Sequence, residues 1–411
     1  MLDFKRPEPN TAVIRIVRAV VPLANRLFLK GLKLDVDAGS IARLEAVQGH
    51  SAVLAPNHPA SADPVVMFLL SKRVSQPFYY MAAREAFDKG RFGAVRGWLM
   101  QRVGVYSVVR GTVDRDAFRT TRQLLLKGER PVVIFGEGEV SRQNDTVMRF
   151  ERGIVQMCFW ALDDMVKADV GKPLYVVPVG MKYHYPRDMW SSIDAALKRL
   201  ERHILPSAER TPAERYDRLR RIGVAVFRTL AAEYQYQIDE TVSLDLHIDR
   251  LKDAILARAE GIMGVQKGTD ILTRTRALKN LVDTQVHQDT EEMTEYEGRI
   301  HAEQLRKIQE FYPDLERLIN FISITDGYVA EEPSPERYLD VILRLEREVF
   351  GRSEPRGPRM ASVRVGEPID LRERYDAYRA RKRETVEHTT AEVETAVQSL
   401  VGGSRKEREC T

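Results

Sequence analysis

The sequence predicts an α/β protein: a mostly parallel sheet, preceded by N-terminal amphipathic helices and interrupted by a large α-helical insertion. Three observations predict it. Between residues 52 and 186 short apolar runs alternate with helical patterns, as in strands joined by crossover helices. From about 190 to 360 the text turns long, charged and helix-forming, with Leu244, Ile248, Leu251, Ile255 and Ile262 at helical intervals. Then "MASVRVGEPIDL" (360–371) returns to strand character, which places the end of the chain back in the first sheet.

The elements follow in order. In "TAVIRIVRAVVPLANRLFLKGLKL" (11–34) apolar residues recur near helical spacing, punctuated by Arg15, Arg18, Arg26 and Lys30. Pro22 is expected to kink this helix or split it in two. A basic amphipathic helix suits either a lipid interface or a packed core face. "SAVLAP" (51–56) reads as a buried strand and "DPVVMFLLSKR" as a helix, where Asp63 before Pro64 has the form of an N-cap with a first-turn proline. Further strands are expected at 77–83, 104–109, 130–139 and 173–183, with helices between them, one of them ended by Gly128. Pro178 interrupts the last strand, as proline does at an edge or a bulge. Residues 273–312 read as a long helical hairpin or coiled stretch, "GRSEPRGPR" (351–359) as a linker, and the tail as one charged helix with a frayed end.

Composition bounds the class. With 43% apolar and 30% charged residues in 411, the chain is globular and long enough for two or three domains, or for one large domain with an insertion. Its net charge of +4 is uneven. Residues 1–190 carry about nine excess positive charges and the remainder about five negative. A basic first half suits an anionic partner, such as a phosphate compound, a nucleic acid or an anionic membrane surface. No nucleic-acid motif accompanies the charge, so no nucleic-acid partner is expected. Cys158 and Cys410 stand far apart without metal-ligand spacing, which fits a reducing compartment and no metal. The start "MLDFKRPEPN" has no apolar region of a signal peptide, and no run approaches the roughly 18 apolar residues of a membrane span. The expectation is a protein that is soluble or lies on a membrane without crossing it.

Chemistry concentrates in four stretches. "NHPASAD" puts His58 five residues ahead of Asp63, between an apolar strand and a helix, where open α/β sheets hold their ligands. An imidazole there can act as general base, and a carboxylate on its other nitrogen fixes the tautomer. The same residues equally describe a turn with a capped helix. "FGEGEVSRQNDTVMRF" (135–150) offers Gly136 and Gly138 for close backbone approach, with Arg142 and Arg149 just beyond. "GVYSVVRG" ends a strand on Arg110, a fitting phosphate ligand or an ordinary surface ion pair. "YVVPVGMKY" carries Pro178. Phosphate-loop, dinucleotide and zinc-protease fingerprints are missing, as is a serine nucleophile elbow.

The order and spacing of these stretches resemble the glycerolipid acyltransferases of the lysophosphatidate acyltransferase type. The family's N-H-x-x-x-x-D stands here as Asn57, His58 and Asp63, and its G-x-x-x-x-x-R as Gly104 to Arg110. F-P-E-G-T-R-S is met by Phe135, Glu137, Gly138 and Ser141, and V-x-P-V by Val176, Pro178 and Val179. Gly136 replaces that motif's proline, Glu139 its threonine and Val140 its arginine. Arg142 or Arg149 then stands in for the missing arginine, or the acceptor is not the usual one.

The resemblance implies that His58 removes a proton from a glycerol-type hydroxyl while Asp63 orients it, and that the hydroxyl attacks an acyl thioester. Glu137 and Gly138 would shape the acceptor site and Arg110 would bind its anionic group. The donor would be acyl-CoA or acyl carrier protein, as substrate rather than cofactor, and the acceptor a lysophospholipid or glycerol phosphate. Residues 1–40 then read as membrane-surface helices on the cytoplasmic side of an anionic membrane. An acyltransferase core follows at 41–190, completed by strand 360–372, with an insertion of unknown role at 191–359 and a C-terminal helix and tail at 373–411. The rival reading is a non-catalytic membrane-binding or scaffold protein on the same fold.

Overall fold

A computed structural model describes residues 4–88, 93–109, 114–239, 241–265, 270–286, 293–321, 326–353 and 356–403. The chain divides into two compact units, an α/β unit (Asp3–Val109, Val113–Pro186 and Pro358–Thr411) and a helical unit (Arg187–Gly357). The α/β unit begins with α1 (Thr11–Phe28), β1 (Lys33–Val36), α2 (Ala38–Ala46), β2 (Ser51–Pro56) and α3 (Asp63–Arg73). It continues through β3 (Tyr79–Ala83), α4 (Glu85–Asp88), α5 (Gly93–Arg102), β4 (Val105–Val108) and α6 (Arg115–Lys127). Next come β5 (Val132–Val133), α7 (Gly153–Lys167) and β6 (Leu174–His184). The helical unit comprises α8 (Trp190–Ile204), α9 (Arg215–Glu233), α10 (Leu244–Met263), α11 (Ile271–Val286), α12 (Glu295–Phe321), α13 (Tyr328–Glu331) and α14 (Pro335–Phe350). The α/β unit ends with β7 (Met360–Val365), β8 (Ile369–Asp370), α15 (Tyr375–Ala380) and α16 (Lys382–Gly403).

The sheet runs β1-β7-β6-β2-β5-β3-β4, with β8 also on β6. Strands β6, β2, β5, β3 and β4 are mutually parallel, whereas β7 is antiparallel to β6 and carries β1 parallel to itself. Strand residues alternate between two apolar layers. Ala52, Leu54, Val133 and Val177 join the layer of α3, while Val53, Ala55, Val132 and Val176 join that of α7 and α16. Both faces are covered, which is why these strands read as continuous apolar runs.

Several expectations need correction. Strand β1 was not expected, because Lys33 and Asp35 break the apolar pattern of its four residues. Strand β5 is two residues long, although its bonding to β2 continues irregularly beyond it: Ile134 N–H donates to the Leu54 carbonyl (3.0 Å) and Gly136 N–H to that of Pro56 (2.8 Å). Pro22 does not split α1. Proline cannot bond the carbonyl four residues back, and the Lys72 ammonium donates to that carbonyl, Arg18 O, at 3.0 Å instead. The C-terminal text forms two helices, and Val386, Val393, Val397 and Val401 of α16 are buried in the core. Pro178 lies in an interior strand. Its carbonyl accepts from Gly366 N–H (2.8 Å), where β6 changes partner from β7 to β8, so the absent N–H falls in a gap of the ladder.

Candidate active site

His58 leaves the carboxyl end of β2, and β6 fixes where it goes. Asn57 forms a two-bond clamp with the Met181 backbone, its amide donating to the carbonyl (2.9 Å) and accepting from the N–H (2.7 Å). Asn144 repeats the clamp two residues along at Tyr183, with both bonds at 2.7 Å. Each side chain substitutes for a strand that has ended. Together they bind the loops after β2 and β5 to one strand and hold them side by side.

The loop after β5 packs around His58. Phe135 stacks on the imidazole, ring centres 4.1 Å apart. The Glu137 carboxylate, fully buried, accepts the His58 backbone N–H at 3.0 Å. Ser141 bonds the His58 carbonyl with its N–H (2.9 Å) and its hydroxyl (3.2 Å). These contacts immobilise the backbone on both sides of the imidazole.

Asp63 does not cap its helix. Ala62 occupies the N-cap and Asp63 the first turn, where a negative charge is favoured by the helix dipole. Its buried carboxylate takes three donors instead: His58 Nδ1 at 2.6 Å, Ala60 N–H at 2.9 Å, and the Tyr183 hydroxyl. Burial and the neighbouring carboxylate both raise the Tyr183 pKa, so the phenol stays protonated and donates. An ionised carboxylate only accepts, so Nδ1 carries the proton and the Nε2 lone pair is left for a substrate. Among the described residues no group bonds Nε2, and the His58 side chain is 13% exposed. The arrangement is an oriented general base that is open on one nitrogen.

A family model described as Acyltransferase matches residues 40–182, a span that contains all four motif stretches. The chain carries an acyltransferase domain. No curated protein matches the chain. The motif resemblance and the family model thus fall on the same strands.

Within the acyltransferase domain the motif residues divide by position. Asn57, His58, Asp63, Phe135, Glu137 and Ser141 converge at the carboxyl end of β2. Gly138, in the same turn, is exposed and left-handed (φ +71°), a conformation that favours glycine. Arg142 follows Ser141 and also has left-handed backbone (φ +55°), while Arg149 is exposed further along the loop. Gly104 lies elsewhere: it precedes β4, at the end of the parallel sheet opposite His58. There its φ of +97°, and the Phe78 carbonyl 3.1 Å from where a Cβ would stand, require glycine. Pro178 is interior to β6, two residues short of the Asn57 clamp. Arg110 lies outside the described residues. Cys158 is fully buried and burial raises its thiol pKa, so it supplies no thiolate.

Gly136 serves packing rather than a ligand. A Cβ there would lie 2.2 Å from the Phe150 ring, so Phe150 fills the space that a side chain at this position would need. Sequence reasoning missed Tyr183 and Asn144 altogether. It expected a charged helix in the tail but not its role at the site: Glu394 and Gln398 of α16 accept from the N–H groups of Phe150 and Val147 (both 2.8 Å) and fasten the loop.

Replacing Tyr183 by phenylalanine leaves a buried Asp63 oxygen without its donor, which costs about 1–3 kcal/mol of stability. If Tyr183 positions Asp63, this variant should also lower kcat for acyl transfer with KM little changed. An unchanged kcat in the folded variant would reduce Tyr183 to a packing residue.

Proposed function

We propose that the protein moves a fatty acyl group from an acyl thioester, acyl-CoA or acyl carrier protein, to a hydroxyl of a lysophospholipid or glycerol phosphate. The observation that carries this reading is the His58–Asp63–Tyr183 chain, with Nε2 open, inside an acyltransferase domain. His58 Nε2 takes the acceptor hydroxyl proton as its oxygen attacks the thioester carbonyl. The carbon–sulfur bond then breaks, and the imidazolium returns the proton to the departing thiolate. Asp63 remains ionised throughout and stabilises the imidazolium. Glu137 takes part by fixing the His58 backbone, and Arg142 and Arg149 are the cations at hand for the acceptor's anionic group.

A membrane surface is the proposed place of work. Among the described residues no helix is long and apolar enough to cross a membrane. The stripe Ile16, Val20, Leu23 and Leu27 on α1 is more than half exposed, as are Val95 and Trp98 on α5. Arg15, Arg26, Lys30 and Arg96 are exposed beside them. An outward apolar stripe flanked by cations fits an anionic lipid interface.

The test is to offer the full chain acyl-CoA or acylated carrier protein with a panel of lysophospholipids and glycerol phosphate, identifying products by mass spectrometry. A new ester on one of these acceptors is expected. Vesicle flotation runs beside it, with binding to anionic vesicles expected to weaken as salt is raised. Vesicle binding with every acceptor unmodified would identify a non-catalytic membrane protein instead.

A further inference from the structure

The ladder between β2 and β6 ends at Pro56 and Val179. Beyond it β6 still pairs with β7, from Val179 opposite Val365 to His184 opposite Met360. On its other side this stretch has no strand among the described residues. There Tyr183 offers an N–H and a carbonyl, and the buried amide of Asn144 takes both at 2.7 Å. Those two bonds set how the Tyr183 backbone faces, and with it the phenol that donates to Asp63.

Asn144 belongs to a loop, 141–150, that has no regular secondary structure, so its shape depends on the bonds that fasten it. The turn after Asn144 is gripped by α16. Gln398 accepts from the Val147 N–H (2.8 Å) and donates to the Asp145 carbonyl (3.1 Å), a third amide clamp on backbone. Helix α16 is firmly seated: Val393, Val397 and Val401 are buried in the core. It also packs directly on the strand that carries Tyr183, since a Cβ on Gly180 would lie 2.6 Å from that of Leu400. Bonded contacts thus run from Gln398 through the loop backbone, Asn144 and Tyr183 to Asp63 and His58.

We propose that Gln398 is a positioning residue for the general base, acting through Asn144 and the Tyr183 hydroxyl on the Asp63–His58 pair. This rests on the reaction proposed for His58. It gives α16, which lies outside the stretch matched by the family model, a part in the chemistry. A misplacement of about 1 Å at a reacting group can cost about 10²-fold in rate. With β7 still pairing along β6, a loosened clamp is expected to cost about tenfold.

The experiment is steady-state kinetics of the full chain with acyl-CoA and the acceptor that it esterifies. Gln398→Met keeps most of the side chain's volume and removes both bonds, whereas Gln398→Glu keeps the bond from Val147 N–H. In Gln398→Met kcat should fall about tenfold and in Gln398→Glu less, with KM for both substrates within about twofold. In a Tyr183→Phe background, which has no hydroxyl to misplace, Gln398→Met should cost less than about twofold. An unchanged kcat, or a change in KM alone, overturns the role of Gln398, and an equal loss in both backgrounds overturns the route through Tyr183. A second readout needs no turnover: exchange of the His58 Nδ1 proton with water, followed by NMR on chain labelled with ¹⁵N-histidine. Held at 2.6 Å by a buried carboxylate, this proton should exchange slowly, and about tenfold faster in Gln398→Met. Unchanged exchange in the folded variant overturns the positioning. Faster exchange in a chain whose wild type esterifies no acceptor upholds the positioning and overturns the reaction instead.

Discussion

His58→Ala is expected to lower acyl transfer by about 10²–10⁴-fold, the contribution typical of a positioned general base. The fold should survive, because the imidazole makes one side-chain hydrogen bond and its backbone contacts to Glu137 and Ser141 do not depend on it. Buried Asp63 loses a donor at a cost of about 1–3 kcal/mol, so the expected result is loss of rate in a protein that is still folded with a modestly lowered melting temperature. Wild-type turnover in the folded variant would remove His58 from the chemistry, and the proposed reaction with it.

The second large effect concerns stability. Gly136→Pro gives the loop the residue that the glycerolipid acyltransferase motif carries there, yet it should destabilise this protein. The ring would collide with Phe150, and the bond from Gly136 N–H to the Pro56 carbonyl would be lost. Overpacking costs about 1–3 kcal/mol and the hydrogen bond about 1 more, out of a typical total of 5–15. Denaturant unfolding should show the loss, and in a double-mutant cycle with Phe150→Ala, which alone costs about 3–5 kcal/mol because Phe150 is buried, the two effects should fall short of additive by the steric part but not by the hydrogen bond. If Gly136→Pro were as stable as the parent, the departure from the motif would need another explanation.

Much of the fold was legible because its local signals agree. Strand β2 and helix α3 have the bounds that their residues imply, since an unbroken apolar run meets a proline-marked helix start. Strand β1 was illegible for the opposite reason: four residues with two charges owe their conformation to a neighbour far along the chain. The same division holds at the site. His58 and Asp63 are close in sequence and could be read as a pair. Tyr183 comes 120 residues later, and only the folding of β6 against β2 brings its hydroxyl to Asp63. The glycines show the limit of motif reading, because Gly104 and Gly136 satisfy steric demands of the scaffold and Gly138 a backbone demand of the turn.

The position of β7 has a consequence for synthesis of the chain. Among the described residues β1 pairs with β7 alone, and β7 begins at Met360. At about 5–20 residues per second, the roughly 320 residues between them take about 16–65 s to emerge from the ribosome. Through that interval β1 has no partner and β6 lacks one neighbour, while α1, with its outward apolar stripe, is already made. On the proposed membrane-surface reading, the apolar stripe of α1 would be available to lipid well before the sheet is complete.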